Sequence, residues 1–212
     1  MSAESISTDG ESSALLELLT CTQQDGSRTH GDCSAESARK MPSSYRWFDT
    51  KALEWIEQNF GPGIHVLDVG PGMGKYETYL QRSVVLDAVE PDTSYIIKFE
   101  LNTRYAKVFN TTIQSFIFEH ECYGNHYDLV IMGDVLEHLK VETAQRVVKY
   151  FVGKETALLV QVPFLYKQDH VKKDDFEKHL QEDLTAIVMH HRYPDLVPLK
   201  KDDVIGVYVW MP

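Results

Sequence analysis

The feature that most constrains the fold of this chain is a glycine-rich stretch, VLDVGPGMGKY, at residues 66–76. Gly70, Gly72 and Gly74 follow an apolar, β-branched run (IHVLDV, 64–69) that is typical of a buried strand. Residues 73–82 then have the pattern of a helix. Glycine allows a tight turn and lets a bound molecule contact the backbone. We therefore predict a strand, a ligand-binding loop and a helix in succession.

Strand and helix patterns alternate from residue 44 onwards, which predicts a parallel sheet covered on both faces. Further strands are predicted at 84–90, 106–110, 127–133 and 155–163, and helices at 47–60, 93–102, 112–120 and 140–151. Residues 175–191 are predicted to form one or two helices. Two last strands, 196–201 and 204–210, flank the turn signal Asp202-Asp203 and suggest an antiparallel hairpin. The predicted fold class is α/β: a Rossmann-like, doubly wound, mostly parallel seven-stranded sheet with an antiparallel terminal hairpin.

The length of 212 residues suggests one domain with a tail. Residues 1–43 are rich in Ser, Thr, Gly, Asp and Glu, so we predict a disordered or flexible N-terminal tail before a domain spanning 44–212. The net charge of −11 disfavours nucleic acid as a partner. No apolar stretch approaches the roughly 20 residues that cross a bilayer, and the N-terminus lacks a secretory pattern. We expect a cytoplasmic protein without a membrane partner.

Three cysteines (Cys21, Cys33 and Cys122) form no CxxC pair, which argues against a disulfide framework. His30 lies between the first two, but zinc sites usually contain closer ligand pairs. His190 and His191 are adjacent on a predicted helix and point to different sides of it. The sequence also shows no constellation of carboxylates and asparagine that clearly matches a known type of catalytic metal site, so we predict no metal.

The segment Asp68-Val69-Gly70-Pro71-Gly72-Met73-Gly74 resembles motif I of the class I S-adenosylmethionine-dependent methyltransferases, D/E-x-G-x-G-x-G. The dinucleotide pattern G-x-G-x-x-G would instead require its third glycine at position 75, which is Lys75. The resemblance implies S-adenosyl-L-methionine as the cofactor. It also implies that Asp68 holds the ammonium end of the cofactor and that Gly70, Pro71, Gly72 and Gly74 line it.

The second predicted strand ends in Glu90-Pro91, and Glu90 lies 20 residues after Gly70. An acid at this position can accept hydrogen bonds from both ribose hydroxyls, in dinucleotide-binding proteins as well as in methyltransferases. After the third strand, the resemblance places Thr112 where the family often has an acid that binds the adenine amine. Ile113 would then pack on the adenine face.

The segment YDLVIMGDVLEHL (127–139) is similar to motif IV and the following segment of many small methyltransferases. The resemblance places Asp134 and Val135 beside the sulfonium group and the methyl acceptor. His138 is the candidate base, because histidine titrates near neutral pH and an alcohol or phenol acceptor must lose a proton. The predicted catalytic residues are thus His138 and Asp134.

The acceptor pocket is predicted from the stretch after the fifth strand together with aromatic residues near position 45. Its candidate residues are Tyr45, Trp47, Phe164, Tyr166, His170 and His179.

We expect a methyltransferase acting on an oxygen or nitrogen of a small molecule, such as a sugar-like compound or a natural product. The sequence leaves other functions open. One is a regulatory or partner subunit that binds S-adenosylmethionine or S-adenosylhomocysteine without catalysis. Others are an aminopropyl transferase and a nicotinamide-dependent oxidoreductase on the same fold.

Overall fold

Seven strands form one sheet in the computed structural model of the protein, which describes residues 49–80, 84–120, 126–167 and 176–212. In chain order the strands are β1 Ile64–Val69, β2 Val84–Val89, β3 Lys107–Phe109, β4 Leu129–Gly133, β5 Ala157–Pro163, β6 Val197–Lys201 and β7 Ile205–Trp210. Their order across the sheet is β3-β2-β1-β4-β5-β7-β6. The pairs up to β5 are parallel, and β7 runs antiparallel to both β5 and β6. The predicted fold class is confirmed.

Helices cover both faces of this sheet, because alternate residues of each strand point to opposite sides. The α-helices are α1 Asp49–Asn59, α2 Lys75–Leu80, α3 Thr93–Lys98, α4 Leu101–Arg104, α5 Ile113–His120, α6 Val141–Gly153 and α7 Ala186–Arg192. One apolar cluster joins Leu67 and Val69 to residues of α5, α6 and α7. A second cluster joins Val66 to residues of α1, α2, α3 and α4 on the other face. The helices pack on the two faces of the sheet through these two clusters, which gives a three-layer α/β/α arrangement.

The chain order reverses beside β1, which pairs with β2 on one side and with β4 on the other. Loops leaving the carboxyl ends of these neighbouring strands diverge and form a crevice, where doubly wound proteins bind ligands. The sequence-predicted site residues around Gly70, Glu90 and Asp134 follow β1, β2 and β4 respectively. The sheet topology therefore brings three separate stretches of sequence to one edge.

Two helix predictions need correction. In the segment 175–191, the described residues before Ala186 are not helical, and only α7 forms. The backbone N–H groups of Leu180 and Gln181 donate to the carbonyl of Glu137 at 2.7 and 3.1 Å, so tertiary hydrogen bonds replace helical ones. The predicted helix 93–102 is interrupted between α3 and α4, where Glu100 has a φ of 53°. A left-handed residue of this kind cannot continue a right-handed helix.

The terminal hairpin turns at Asp202, as the sequence predicts. The Asp202 side chain accepts hydrogen bonds from the backbone N–H groups of Val204 at 2.7 Å and Ile205 at 2.9 Å. None of the helices in the described ranges is long and apolar enough to span a bilayer. The tail 1–43, its boundary at residue 44 and the three cysteines lie outside the described residues, so these predictions stay predictions.

Candidate functional site

The glycine loop after β1 adopts backbone conformations that glycine favours. Gly70, Gly72 and Gly74 have φ angles of 64°, 53° and 78°, and the Gly74 N–H donates to the Pro71 carbonyl at 2.8 Å. A Cβ atom added to Gly70 would lie 3.0 Å from Cγ2 of Val135. The loop therefore packs closely against the segment that follows β4, and the two predicted halves of the site are in contact.

Asp68 is buried near the end of β1 and is 1% exposed. The Tyr105 hydroxyl donates to its Oδ2 at 2.7 Å. Burial raises the pKa of Asp68 to about 6, although the hydrogen bond from Tyr105 opposes this rise. A cation bound beside Asp68 would favour the ionised form, which suits the role predicted for it.

Glu90 lies at the carboxyl end of β2 and contacts the glycine loop. Burial raises the pKa of Glu90 to about 7, while hydrogen bonds from the backbone N–H groups of Asp92 and Gly72 lower it. The Asp92 N–H lies 2.9 Å from Glu90 Oε1. Asn110, which sequence reasoning missed, donates from Nδ2 to the carbonyls of Glu90 at 2.9 Å and Pro91 at 3.1 Å. Glu90 is thus held next to Gly72, as a ribose-binding acid would need to be.

The two residues predicted to contact adenine lie at the start of α5. The Thr112 hydroxyl accepts a hydrogen bond from the Ser115 backbone N–H at 3.3 Å and donates to the Ser115 hydroxyl at 3.1 Å. Thr112 therefore caps this helix. Ile113 is 4% exposed and belongs to the apolar cluster. Both adenine contacts remain predictions.

The segment after β4 begins with Asp134, whose φ is 57° and whose backbone N–H donates to the Gln161 carbonyl at 2.9 Å. A short 3-10 helix, Leu136–His138, follows. The His138 side chain is 21% exposed. This segment presents both predicted catalytic residues, but their catalytic roles remain predictions.

The Arg104 guanidinium, which no sequence motif indicates, binds the base of the glycine loop. It donates to the carbonyls of Met73 at 2.7 Å and Gly74 at 3.1 Å. The same group forms an ion pair with Glu77, which is 1% exposed, and its Nε lies 2.8 Å from Glu77 Oε2. Arg104 thereby connects α4, α2 and the loop.

Three side chains, Glu137, His138 and His179, lie close together beside this crevice. Their ligand-type atoms all lie within 4.8 Å of one another. The sequence predicts no metal site, yet this set contains one carboxylate and two imidazoles. Sequence analysis predicted His138 as a base and His179 as a residue of the acceptor pocket, and it did not identify Glu137.

The other residues predicted to line the acceptor pocket are not members of this cluster. Phe164 is 7% exposed and packs in the core, whereas the Tyr166 ring lies 5.2 Å from the His179 ring. His190 and His191 lie exposed on α7. Tyr45, Trp47 and His170 lie outside the described residues.

No family model and no curated protein sequence matches this chain. Solved structures do match its fold. An S-adenosylmethionine-dependent methyltransferase from Clostridium acetobutylicum ATCC 824 superposes with a TM-score of 0.58 over 79% of this chain and 92% of that chain, at 12% sequence identity. The N-methyltransferase NodS from Bradyrhizobium japonicum WM9, in complex with S-adenosyl-L-homocysteine, gives a TM-score of 0.53 over 77% and 86%, at 12% identity.

The match to a third structure is partial. The chain spans about half (52%) of an S-adenosylmethionine-dependent methyltransferase from Archaeoglobus fulgidus, over 54% of its own length, with 19% identity and a TM-score of 0.45. The two fuller matches cover more than three quarters of this chain and most of each solved structure. The chain therefore has the fold of the class I S-adenosylmethionine-dependent methyltransferases.

Proposed function

We propose that the protein binds S-adenosyl-L-methionine in the crevice beside β1 and transfers its methyl group to an acceptor. The observation that carries this proposal is the contact between Glu90 and Gly72. Through this contact Glu90, the proposed partner of the ribose hydroxyls, lies next to the loop that would contact the cofactor. The buried carboxylate of Asp68, two residues before Gly70, supplies a partner for the ammonium group. The solved complex of NodS with S-adenosylhomocysteine supports the same ligand class.

The transfer is a displacement at the methyl carbon. A lone pair on the acceptor oxygen or nitrogen forms the new bond, the carbon–sulfur bond breaks, and its electron pair remains on sulfur as a neutral thioether. A protonated acceptor such as an alcohol also loses a proton. Correct alignment of the two reactants accounts for much of the rate. The segment from Asp134 to His138 is the part of the chain that we assign to the acceptor side.

We propose a small molecule as the acceptor, methylated on oxygen or nitrogen. The acidic chain, with its net charge of −11, disfavours a nucleic acid. NodS, a structure with the same fold, is an N-methyltransferase. The atom methylated and the acceptor itself follow from an activity screen once the cofactor is established.

Calorimetric titration with S-adenosylmethionine, S-adenosylhomocysteine and NAD tests the cofactor class directly. We expect micromolar binding of both adenosyl ligands and no binding of NAD, because Lys75 stands where the dinucleotide pattern requires glycine. Binding of NAD alone would overturn the proposal in favour of an oxidoreductase. Binding of the adenosyl ligands without turnover across the acceptor screen would favour the non-catalytic subunit.

Cofactor affinity is expected to rise with pH between about 5 and 8. In the free protein the pKa values of Asp68 and Glu90 are raised to about 6 and about 7. The ligand's ammonium and ribose hydroxyls favour the ionised carboxylates, so binding near pH 6.5 should release protons. A single group changes affinity by at most about tenfold per pH unit. Proton release is measured by calorimetry in buffers that differ in ionisation enthalpy.

The same two raised pKa values fix the sign of the pH effect on stability. The folded, ligand-free protein binds these protons more tightly than the unfolded chain does. The resulting stabilisation is complete below about pH 4 and is lost as pH rises through about 6 and 7. Glu90→Gln should abolish the change near pH 7 in both the cofactor affinity and the free energy of unfolding. Unchanged profiles in that variant would contradict the assignment to Glu90.

A further inference from the structure

Glu137, His138 and His179, here called the EHH cluster, converge from two distant parts of the sequence. The His138 Nε2 atom lies 3.9 Å from Glu137 Oε1, and the rings of His138 and His179 are 4.7 Å apart between centroids. All three side chains place a potential ligand atom within 4.8 Å of the other two. Potential ligand atoms this close to one another can converge on one cation after small side-chain rotations.

Glu137 is the strongest sign that the EHH cluster binds something. The residue is 1% exposed, and neither of its carboxylate oxygens accepts a hydrogen bond from any other described residue. A buried carboxylate without hydrogen bonds is costly unless it neutralises or meets a cation. The site therefore offers a carboxylate whose environment favours a positive charge.

His179 is oriented as metal-binding histidines usually are. Its Nδ1 lies 3.3 Å from the carbonyl oxygen of Tyr166. Because a carbonyl can only accept, Nδ1 carries the proton and Nε2 keeps its lone pair. A histidine that ligates a metal commonly donates its other ring N–H to a carbonyl or carboxylate in this way.

Hydrogen bonds hold the segment that bears His179 against the 3-10 helix that bears Glu137 and His138. Besides the two backbone hydrogen bonds to Glu137 described above, the Gln181 side chain donates from Nε2 to the carbonyls of Leu136 at 2.7 Å and Leu139 at 3.0 Å. Gln181 is 2% exposed, and its Oε1 accepts from the Tyr193 hydroxyl at 3.0 Å. The segment bearing His179 is thus tied to the 3-10 helix that bears Glu137 and His138.

We propose that Glu137, His138 and His179 bind one divalent transition-metal ion, such as Zn²⁺, Co²⁺ or Mn²⁺. Two imidazoles and one carboxylate suit these ions better than Mg²⁺ or Ca²⁺, which prefer oxygen ligands. Three protein ligands leave a coordination position open, as in catalytic sites. If the proposed methyl transfer is correct, on which this step rests, an oxygen of the acceptor takes that position. His138 then acts through the metal, because its ligating lone pair cannot also accept a proton.

Titration of the chelator-treated full-length chain with Co²⁺ tests the site without any activity assay. We expect one tight Co²⁺ site. The visible absorption of the bound Co²⁺ should be typical of nitrogen and oxygen ligands, and Zn²⁺ should displace the Co²⁺. His179→Ala and the isosteric Glu137→Gln should each weaken binding by at least about 10- to 100-fold. His191→Ala, which removes an exposed histidine from α7, should bind Co²⁺ as the wild type does.

Several results would overturn the inference. They are the absence of Co²⁺ binding, unchanged binding in both cluster variants, or a thiolate-to-cobalt absorption band that identifies cysteine ligands. Titration of each variant with S-adenosylhomocysteine verifies that its fold is intact. It also separates the two proposals: adenosyl binding without metal binding would reject only the metal site, and the reverse result would reject only the proposed cofactor.

Discussion

Gly72→Val is expected to lower the affinity for S-adenosylhomocysteine by about 5- to 150-fold, while the protein remains folded. A Cβ atom at Gly72 meets no described atom within 4 Å, so it would project into the space assigned to the cofactor. Overpacking of this kind costs about 1–3 kcal/mol, and each 1.4 kcal/mol is about tenfold in affinity. The valine also disturbs the Gly72 N–H that reaches Glu90. Calorimetry gives the affinity, and urea denaturation gives the stability.

Gly63→Val is the matched control for this experiment. Gly63 precedes β1, at the end of the strand away from the site, and has a φ of 86° with no described atom within 4 Å of an added Cβ. Both variants therefore incur the left-handed backbone penalty of about 1–2 kcal/mol. Only the variant at Gly72 should lose ligand affinity. Equal affinities in the two variants would mean that the cofactor site has been assigned to the wrong loop.

Arg104→Met is expected to reduce the free energy of unfolding by about 3–5 kcal/mol. Glu77 is 1% exposed and would lose its cationic partner, which is the costly way to disrupt a buried ion pair. The carbonyls of Met73 and Gly74 would lose their guanidinium donor as well. Because these carbonyls belong to the glycine loop, adenosyl affinity should fall together with stability. Urea denaturation and ligand titration measure the two effects.

Two further variants identify the cause of that destabilisation. The exposed Arg146→Met on α6 removes an arginine from the surface and should change stability by less than about 0.5 kcal/mol. The double variant Arg104→Met/Glu77→Met replaces both charges and should recover much of the loss. A double variant less stable than Arg104→Met alone would show that Glu77 stabilises the fold through other contacts.

Local sequence signals predicted the parts of the molecule that depend on neighbouring residues. The strand at residues 64–69 was identified because an apolar, β-branched run is bounded by Gly63 and Gly70. The hairpin was predicted from the turn signal Asp202-Asp203, and in the structure the Asp202 side chain caps that turn. The positive φ angles of the three loop glycines explain why their spacing is informative.

Contacts made across the fold could not be predicted in the same way. Arg104 binds the glycine loop although some thirty residues separate them, and no periodicity connects the two. The hydrogen bond between Glu137 and Gln181 joins residues that are 44 positions apart in the sequence. The same contact explains the wrong helix prediction at 175–191, since the pattern there is helical but the backbone donors bind elsewhere. These interactions can be identified only once the order of the strands in the sheet is known.

The position of β7 has a consequence for how the protein is made. This strand lies inside the sheet between β5 and β6, although roughly 40 residues separate it from β5 along the chain. A ribosome adding about 5–20 residues per second leaves β5 without this neighbour for several seconds. All seven residues of β5 are buried in the finished protein, so an apolar edge is open to wrong pairing during that interval. Slower synthesis after Pro163 would prolong this exposure, and the yield of soluble protein should depend on translation speed in that stretch.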